Sequence, residues 1–487
     1  MSNQKSFAQD VLTLSSVPVI SQILGILLTP IVTRMYTPET FGLANVLGSI
    51  VMLLAVFSTM GYHGAIILPK NDKTATNILL VCFFSILCIS ALSFLIVIAG
   101  KDFISAKLNA PGLVKYLWLT PIFVFFHGMY QTLRYWNIRL RHFNNMAVSR
   151  VSEIVMRKFY QILVGFLGYA TAGSLIIANL TSAIVKNLFL LRNMDLKSIS
   201  LKNKSHLKLW AVAKRYRKFP QYSVWGELFS RLPATIISLM IIKYFGQDML
   251  GYYGLSFMVL AMPSTLIRGS INEAFGPRVA MAKHENKHTE MLEKLYVRLV
   301  ALMIFPFIIL GFFSERLFPI VFGSEWMQSG LIAQILVIRI FFEIIFSPAL
   351  SLVDIMEKQE LHVIRSVAST VIAISVLLLG VYYDNFYLAM WCLSIFEGAT
   401  ITLLGIYMMR LIHFQFLHSM KKLARYVFLA GFLAGTIFFA KDLLFTNNLH
   451  LIGIIGTVFL IYYIALAYLD KEMFGAFTKL VRSFVNF

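Results

Sequence analysis

The chain has 487 residues, 58% of them hydrophobic and 14% charged, with a mean hydropathy of +0.75 and a formal net charge of +20. A soluble globular domain carries about a quarter charged residues, so this composition excludes one and points to a polytopic membrane protein. In a soluble protein such a basic balance would suggest nucleic acid. Here it places basic loops beside anionic lipid, and nucleic acid is not an expected partner.

The first apolar run, Val11 to about Val32, is too long for a signal-peptide core and no small-residue cleavage site comes after it, so it reads as the first span. In chain order, helices are expected near 11–33, 43–65, 75–99, 113–137, 147–170 and 172–191. After a charged interruption come 219–242, 249–270, 295–314, 328–353, 361–382, 385–409, 423–440 and 448–468. The runs are about twice the length of a barrel strand and lack its alternation, so the fold class is all-α with about 14 transmembrane helices. Cys82, Cys88 and Cys392 all fall in apolar runs and supply neither a disulfide framework nor metal spacing.

Charge sets the orientation. With the N-terminus inside, the inside loops carry Lys70, Lys73, Arg139 and Arg141, then the stretch Arg192–Lys218 with nine Lys/Arg against one Asp, and then further cations such as Lys294, Arg410, Lys421, Lys422 and Arg425. The outside loops carry far fewer, among them Arg34, Lys101, Lys107, Lys243, Arg316 and Lys441. The positive-inside rule then places both termini in the cytoplasm, with an even number of spans.

A short signature occurs twice. Arg34-Met-Tyr-Thr-Pro-Glu39-Thr-Phe-Gly42 ends the first run, and Lys243-Tyr-Phe-Gly-Gln-Asp248-Met-Leu-Gly251 ends the seventh, with equivalent positions 209 residues apart (243 − 34). Six spans separate the copies, so the two halves start in the same orientation and form a parallel repeat. A weaker echo sets Arg150 and Gly165 against Arg365 and Gly380 at an offset of 215. The expected organisation is a six-helix bundle over 1–191, a basic cytoplasmic linker over 192–218, a second six-helix bundle over 219–410, and two additional spans with a cytoplasmic tail over 411–487.

On these residues the chain resembles the polysaccharide-export branch of the multidrug/oligosaccharidyl-lipid/polysaccharide (MOP) transporters, the Wzx-type O-antigen flippases. The likeness rests on TRMYTPETFGLANV after the first span, MGYHGAIILP at the end of the second, RLRHFNNMAVSR at the entry to the fifth, and IIKYFGQDMLGYYGLSFMV at the restart. It covers nearly the whole chain. The resemblance implies a bacterial inner-membrane protein that moves an undecaprenyl-pyrophosphate-linked oligosaccharide from the cytoplasmic to the periplasmic leaflet. A polysaccharide polymerase and a chain-length regulator would be its partners.

Charges inside the spans are the candidate functional residues, because each costs about 2.5–3.5 kcal/mol on insertion scales and survives where it faces a cavity or a partner. Glu227 and Arg231 lie four apart on the seventh helix, and Pro233 is expected to kink that helix beside them. The repeat offset pairs Arg231 with Gln22 (231 − 209) on the first helix. Arg339 and Glu343 form a second pair four apart. On the fifth helix Glu153 is placed to bridge Arg150 and Arg157, leaving Arg157 or Lys158 partly unneutralised. Arg268 closes the eighth helix, and Glu397 stands alone in the twelfth. Two readings remain open for these groups. They are internal salt bridges holding helices together, or Arg231, Arg339, Arg157, Arg268 and Gln22 line a cavity for the pyrophosphate and sugars. In the second reading Glu227, Glu343, Glu153 and Glu397 neutralise the arginines or couple an ion, H+ or Na+. Arg34 and Lys243 read as interface anchors, and His63 and His127 as polar packing or cavity residues.

No G-x-x-x-x-G-K-[ST] loop is present, so no nucleotide cofactor is expected. Competing readings are a lipid II flippase, a multidrug or cation antiporter of the same superfamily, and a membrane polymerase or ligase. The outside loops near 100–112 and 315–327 are short for the last of these.

Overall fold

The computed structural model describes residues 21–192, 206–270, 288–414, 416–439 and 448–470. The long helices are α1 (Ser21–Thr33), α2 (Pro38–Ala55), α3 (Asp72–Lys107), α4 (Thr120–Leu140), α5 (Phe143–Phe166), α6 (Ala172–Leu191) and α7 (Phe219–Phe245). They continue as α8 (Gln247–Ser270), α9 (His288–Phe322), α10 (Met327–Ile345), α11 (Glu360–Tyr382), α12 (Phe386–Leu411), α13 (Phe416–Phe439) and α14 (Asn448–Leu469). Among the described residues, ten are long and apolar enough to cross a membrane, and α4, bent by 55° from the short segment Pro111–Leu117, makes an eleventh. The other three are α1, described from Ser21 onward, α5, whose interior holds Arg150, Glu153, Arg157 and Lys158, and α8, which opens on Gln247 and Asp248. The all-helical architecture agrees with the sequence reading. No strand occurs among the described residues.

Local chemistry sets the helix ends. Thr37 caps α2, with Pro38 at its first position and Glu39 in its first turn, where a carboxylate suits the helix dipole. Asn71 caps α3 by accepting from the Lys73 amide at 2.9 Å. Thr171 and Ser174 form a reciprocal capping box on α6. At 36 residues α3 is about 54 Å long, well beyond the hydrocarbon core, and so extends past the membrane. Helix α7 runs without a break through Pro233; its departure from α geometry is a π turn at Phe219–Ser223, around Pro220.

The chain packs as two compact units. The first comprises 1–259 and 360–393, and the second 260–359 and 394–487. Within the first, α1 packs on α5, α3 on α4, α5 on α6, and α7 on both α2 and α11. Within the second, α9 packs on α10, α13 and α14. The pairing recurs six helices on, since α1 with α5 corresponds to α7 with α11, and α3 with α4 to α9 with α10. Many large apolar side chains face outward, such as Phe94, Leu95, Phe166, Ile364, Leu403 and Leu460. In water so wide an apolar surface would aggregate, whereas in lipid it is the expected exterior.

The repeated signature lies at a close helix crossing inside the first unit. A Cβ on Gly42 would sit 1.9 Å from the Gln247 carbonyl oxygen, and a Cβ on Gly251 would sit 1.9 Å from the Pro38 carbonyl oxygen. Gly42 with Gly251 and Pro38 with Gln247 are equivalent at the offset of 209 (251 − 42, 247 − 38), so the contact is reciprocal. A third pair obeys the same rule, with Gly254 seated against Asn45 (254 − 45 = 209). Only glycine permits backbones this close. Gly42→Ala and Gly251→Ala are each expected to lower the unfolding midpoint in detergent, with an overpacking cost of about 1–3 kcal/mol or more. Gly453→Ala on α14, where an added methyl meets nothing within 4 Å, should not. Equal midpoints for all three variants would show that the crossing is not needed for stability.

Candidate functional site

Four helices of the first unit, α2, α4, α5 and α6, enclose a cavity of about 280 Å³. Each contributes one face at helical spacing: Met52 one turn after Gly48 on α2, Tyr130 one turn after His127 on α4, Arg157 one turn after Glu153 on α5, and Asn179, Ser182 and Lys186 on α6. A methyl added to Gly48 would meet nothing within 4 Å, in keeping with the open space there.

The charges are ordered unevenly. Lys186 Nζ lies 3.1 Å from Glu153 Oε1 and 3.7 Å from the centre of the Tyr130 ring, so the ammonium has one carboxylate and one aromatic face. Both side chains are largely withdrawn from the surface, where the loss of one partner weighs more than in water. Arg157, which lines the same cavity, makes no ion pair among the described residues. Beside the cavity, Arg231 donates from Nη2 and Nε to Glu227 Oε1 at 2.8 and 3.2 Å, and its Nη1 lies 3.5 Å from the sulfur of Met52, a cavity residue. Arg231 and Glu227 are both half-buried on the one helix face that their spacing of four gives them.

Two sequence expectations change. Glu153 does not bridge Arg150 and Arg157; it is held by Lys186, because α5 and α6 pack along their length and bring the two side chains together. Lys158, one residue on from Arg157, points away from the cavity. It is buried and donates to Thr29 Oγ1 of α1 at 2.9 Å. One helical residue turns a side chain by about 100°, so adjacent cations serve different neighbours.

In the second unit, Arg339 on α10 reaches Glu397 on α12 at 3.7 Å, with side-chain exposures of 12% and 2%. Glu397, alone in its own helix, thus finds its partner on another. Ser394, one turn before it, donates to the Ile335 carbonyl at 2.7 Å and fixes the register of the two helices. Glu343 lies one turn along α10 from Arg339 and is itself engaged. Gln22 is half-buried on α1, engaged elsewhere, and is not among the residues lining the cavity. Arg268 lies in α8, but its side chain is outside the described residues. The cavity also has residues that the sequence reading passed over, chiefly Lys186 and Tyr130. A lone lysine in the apolar run of α6, one helical face with Asn179 and Ser182, was the available signal.

A family model described as polysaccharide biosynthesis protein matches residues 31–331, which is 301 of the 487 residues (331 − 31 + 1). The chain belongs to the polysaccharide biosynthesis protein family. Among curated proteins, it is 21% identical over 305 residues to the teichuronic acid biosynthesis protein TuaB of Bacillus subtilis (strain 168), and the match spans 59% of either chain. Among solved structures, it is similar to the lipid II flippase MurJ in an inward closed conformation, with a TM-score of 0.68 and 15% identity over 93% of this chain and 98% of that one. It is also similar to an inward-facing multidrug resistance MATE family transporter of the MOP superfamily, with a TM-score of 0.63 and 14% identity over 85% and 98% of the two chains. At such identities the likeness is one of fold alone.

In this family member the Glu153–Lys186 pair is expected to be strongly coupled. Glu153→Gln and Lys186→Met should each destabilise the protein, and the double variant should lose less than the sum, by about 1–3 kcal/mol in a double-mutant cycle on unfolding midpoints. Strict additivity would show that the pair contributes nothing as a pair.

Proposed function

We propose that the protein is a flippase that carries an undecaprenyl-pyrophosphate-linked oligosaccharide repeat unit from the cytoplasmic to the periplasmic leaflet by alternating access. The observation that carries this reading is a cavity in which Arg157 makes no ion pair among the described residues, while Lys186 is held by a single carboxylate and Arg231 stands at the edge beside Met52. Such a wall favours a dianionic headgroup. Guanidinium groups take a pyrophosphate by paired hydrogen bonds, and the headgroup displaces Glu153 or Glu227 from its cation as it enters. A ligand that relieves repulsion among cations in one state more than in the other shifts the equilibrium between states, as alternating access requires. Phe123, Phe126 and Tyr130 in the same cavity offer apolar faces for sugar rings.

The family match supports a saccharide substrate, and the basic wall suits an anionic headgroup better than the cationic cargo of an antiporter. A lipid II flippase uses the same headgroup chemistry and differs in the group attached beyond the pyrophosphate. The distribution of Lys and Arg supports cytoplasmic termini and a bacterial inner-membrane location. Glu397, 1% exposed and facing Arg339, is the group best placed to couple H+ or Na+, by exchanging its arginine for the ion.

The test is the leaflet distribution of the lipid-linked glycan, read by periplasm-side labelling of the headgroup in cells lacking the protein and complemented with variants. Wild type should restore outer-leaflet glycan, whereas Arg157→Ala, Arg231→Ala and Arg339→Ala should insert normally and fail to restore it. Lys→Ala changes within 192–218 should have little effect. Normal export in the Arg157 and Arg231 variants would overturn the cavity assignment, normal export in Arg339→Ala would overturn the coupling role of its pair with Glu397, and an altered polymer length with unchanged outer-leaflet glycan would point to a role beside the polymerase.

A further inference from the structure

The second unit contains a cleft of about 520 Å³ at one end of α9, α13 and α14, far along the chain from the residues of the proposed substrate cavity. Among the described residues that line it, the cations are Lys294, Arg298, Lys422 and Arg425 and the anions are Glu293 and Asp470, an excess of two positive charges (4 − 2). Both carboxylates are engaged. Glu293 takes Lys422 at 3.0 Å and lies 3.9 Å from His418, and Asp470 takes Arg298 at 3.3 Å. Arg425 meets no carboxylate among the described residues. Its Nη2 donates to the hydroxyl of Tyr426 at 2.7 Å, and its guanidinium lies 4.7 Å from the centre of that ring. Tyr426 is 1% exposed, so it holds Arg425 in a fixed position while the arginine itself is exposed.

The walls of the cleft continue into apolar tracks. On α13, Phe428 and Phe432 come three and seven residues after Arg425, on the same face, with exposures of 76% and 60%. On α14, Ile464 and Ile461 lie four and seven residues before Tyr468, again on one face and exposed. An exposed aromatic and a fixed guanidinium lining one cleft, with two outward apolar stripes leading from it, match the parts of a membrane lipid: a headgroup phosphate at the interface and chains in the hydrocarbon.

We propose that this cleft binds an anionic glycerophospholipid, with its phosphate on Arg425 and Lys294 and its acyl chains along the exposed faces of α13 and α14. The charge excess selects a net-negative headgroup over a zwitterionic one. The cleft lies at the end that the loop charges assign to the cytoplasm, where anionic lipid attracts basic groups. The site is independent of what the first-unit cavity transports.

The full-length protein, purified in detergent and delipidated, is titrated with phosphatidylglycerol, phosphatidylcholine, inorganic phosphate and a polyprenyl diphosphate, with bound lipid counted by native mass spectrometry. Phosphatidylglycerol should bind saturably and phosphatidylcholine weakly. Arg425→Ala and Lys294→Ala should each weaken phosphatidylglycerol by about fivefold, the worth of one cation near an anionic surface, and Arg425→Lys by less. Inorganic phosphate should not compete, since it lacks the chains. Should Arg425→Ala fail to fold, Lys294→Ala carries the same test. Unchanged phosphatidylglycerol binding in Lys294→Ala and in any folded Arg425→Ala protein, or phosphatidylcholine binding as tight, would overturn the proposal. So would Arg425-dependent binding of the polyprenyl diphosphate without phosphatidylglycerol, or displacement of phosphatidylglycerol by inorganic phosphate.

Discussion

Two backbones meet at Gly42 and Gly251 so closely that neither position can carry even a methyl group, and the neighbouring helices are arranged around that meeting. Because Gly42 faces the Gln247 carbonyl as Gly251 faces that of Pro38, the starts of α2 and α8 are held by one contact used twice. In hydrocarbon no hydrophobic force drives helices together, so close packing of small residues supplies the attraction. Helix α7, which runs directly into α8 through Gly246, is thereby held against α2 inside the first unit. That packing sets Arg231 beside Met52 and so at the edge of the cavity.

With the helices placed, several embedded charges find one of three settings. The partner is a carboxylate, as for Arg339 with Glu397 and Lys186 with Glu153, or a polar oxygen, as for Lys158 with Thr29, or the group faces an open cavity, as Arg157 does. The cost of an unpartnered charge in a low dielectric drives the first two arrangements. The third persists where water or an anion can reach the group. The residue lining the cavity without an ion pair is thus the one with most to gain from an anionic ligand.

The helical architecture was legible because apolar runs of about 20 residues have few other uses and the loop charges divide them clearly. The Glu227–Arg231 pair was legible for a similar reason, since a spacing of four on one helix places both groups on one face whatever surrounds them. For Glu153 the same rule points to the wrong partner, because Arg150 and Arg157 also satisfy it and the spacing says nothing about α6. Lys186 escapes notice in the sequence since its significance lies in Glu153 and Tyr130, residues 33 and 56 positions away (186 − 153, 186 − 130). Glu397 looks solitary there because its arginine is on another helix.

The sequence by itself determined that this chain lives in a membrane and that it is helical, and it carries a short signature twice at an offset of 209 (243 − 34). These features come from composition, run length and a repeated signature, all of which are local or periodic. Only the tertiary structure decided which repeat-equivalent glycines touch, which carboxylate neutralises which cation, and which arginine faces a cavity. Those outcomes depend on helix rotation and register, and a change of one residue in register turns a side chain by about 100° toward a different neighbour.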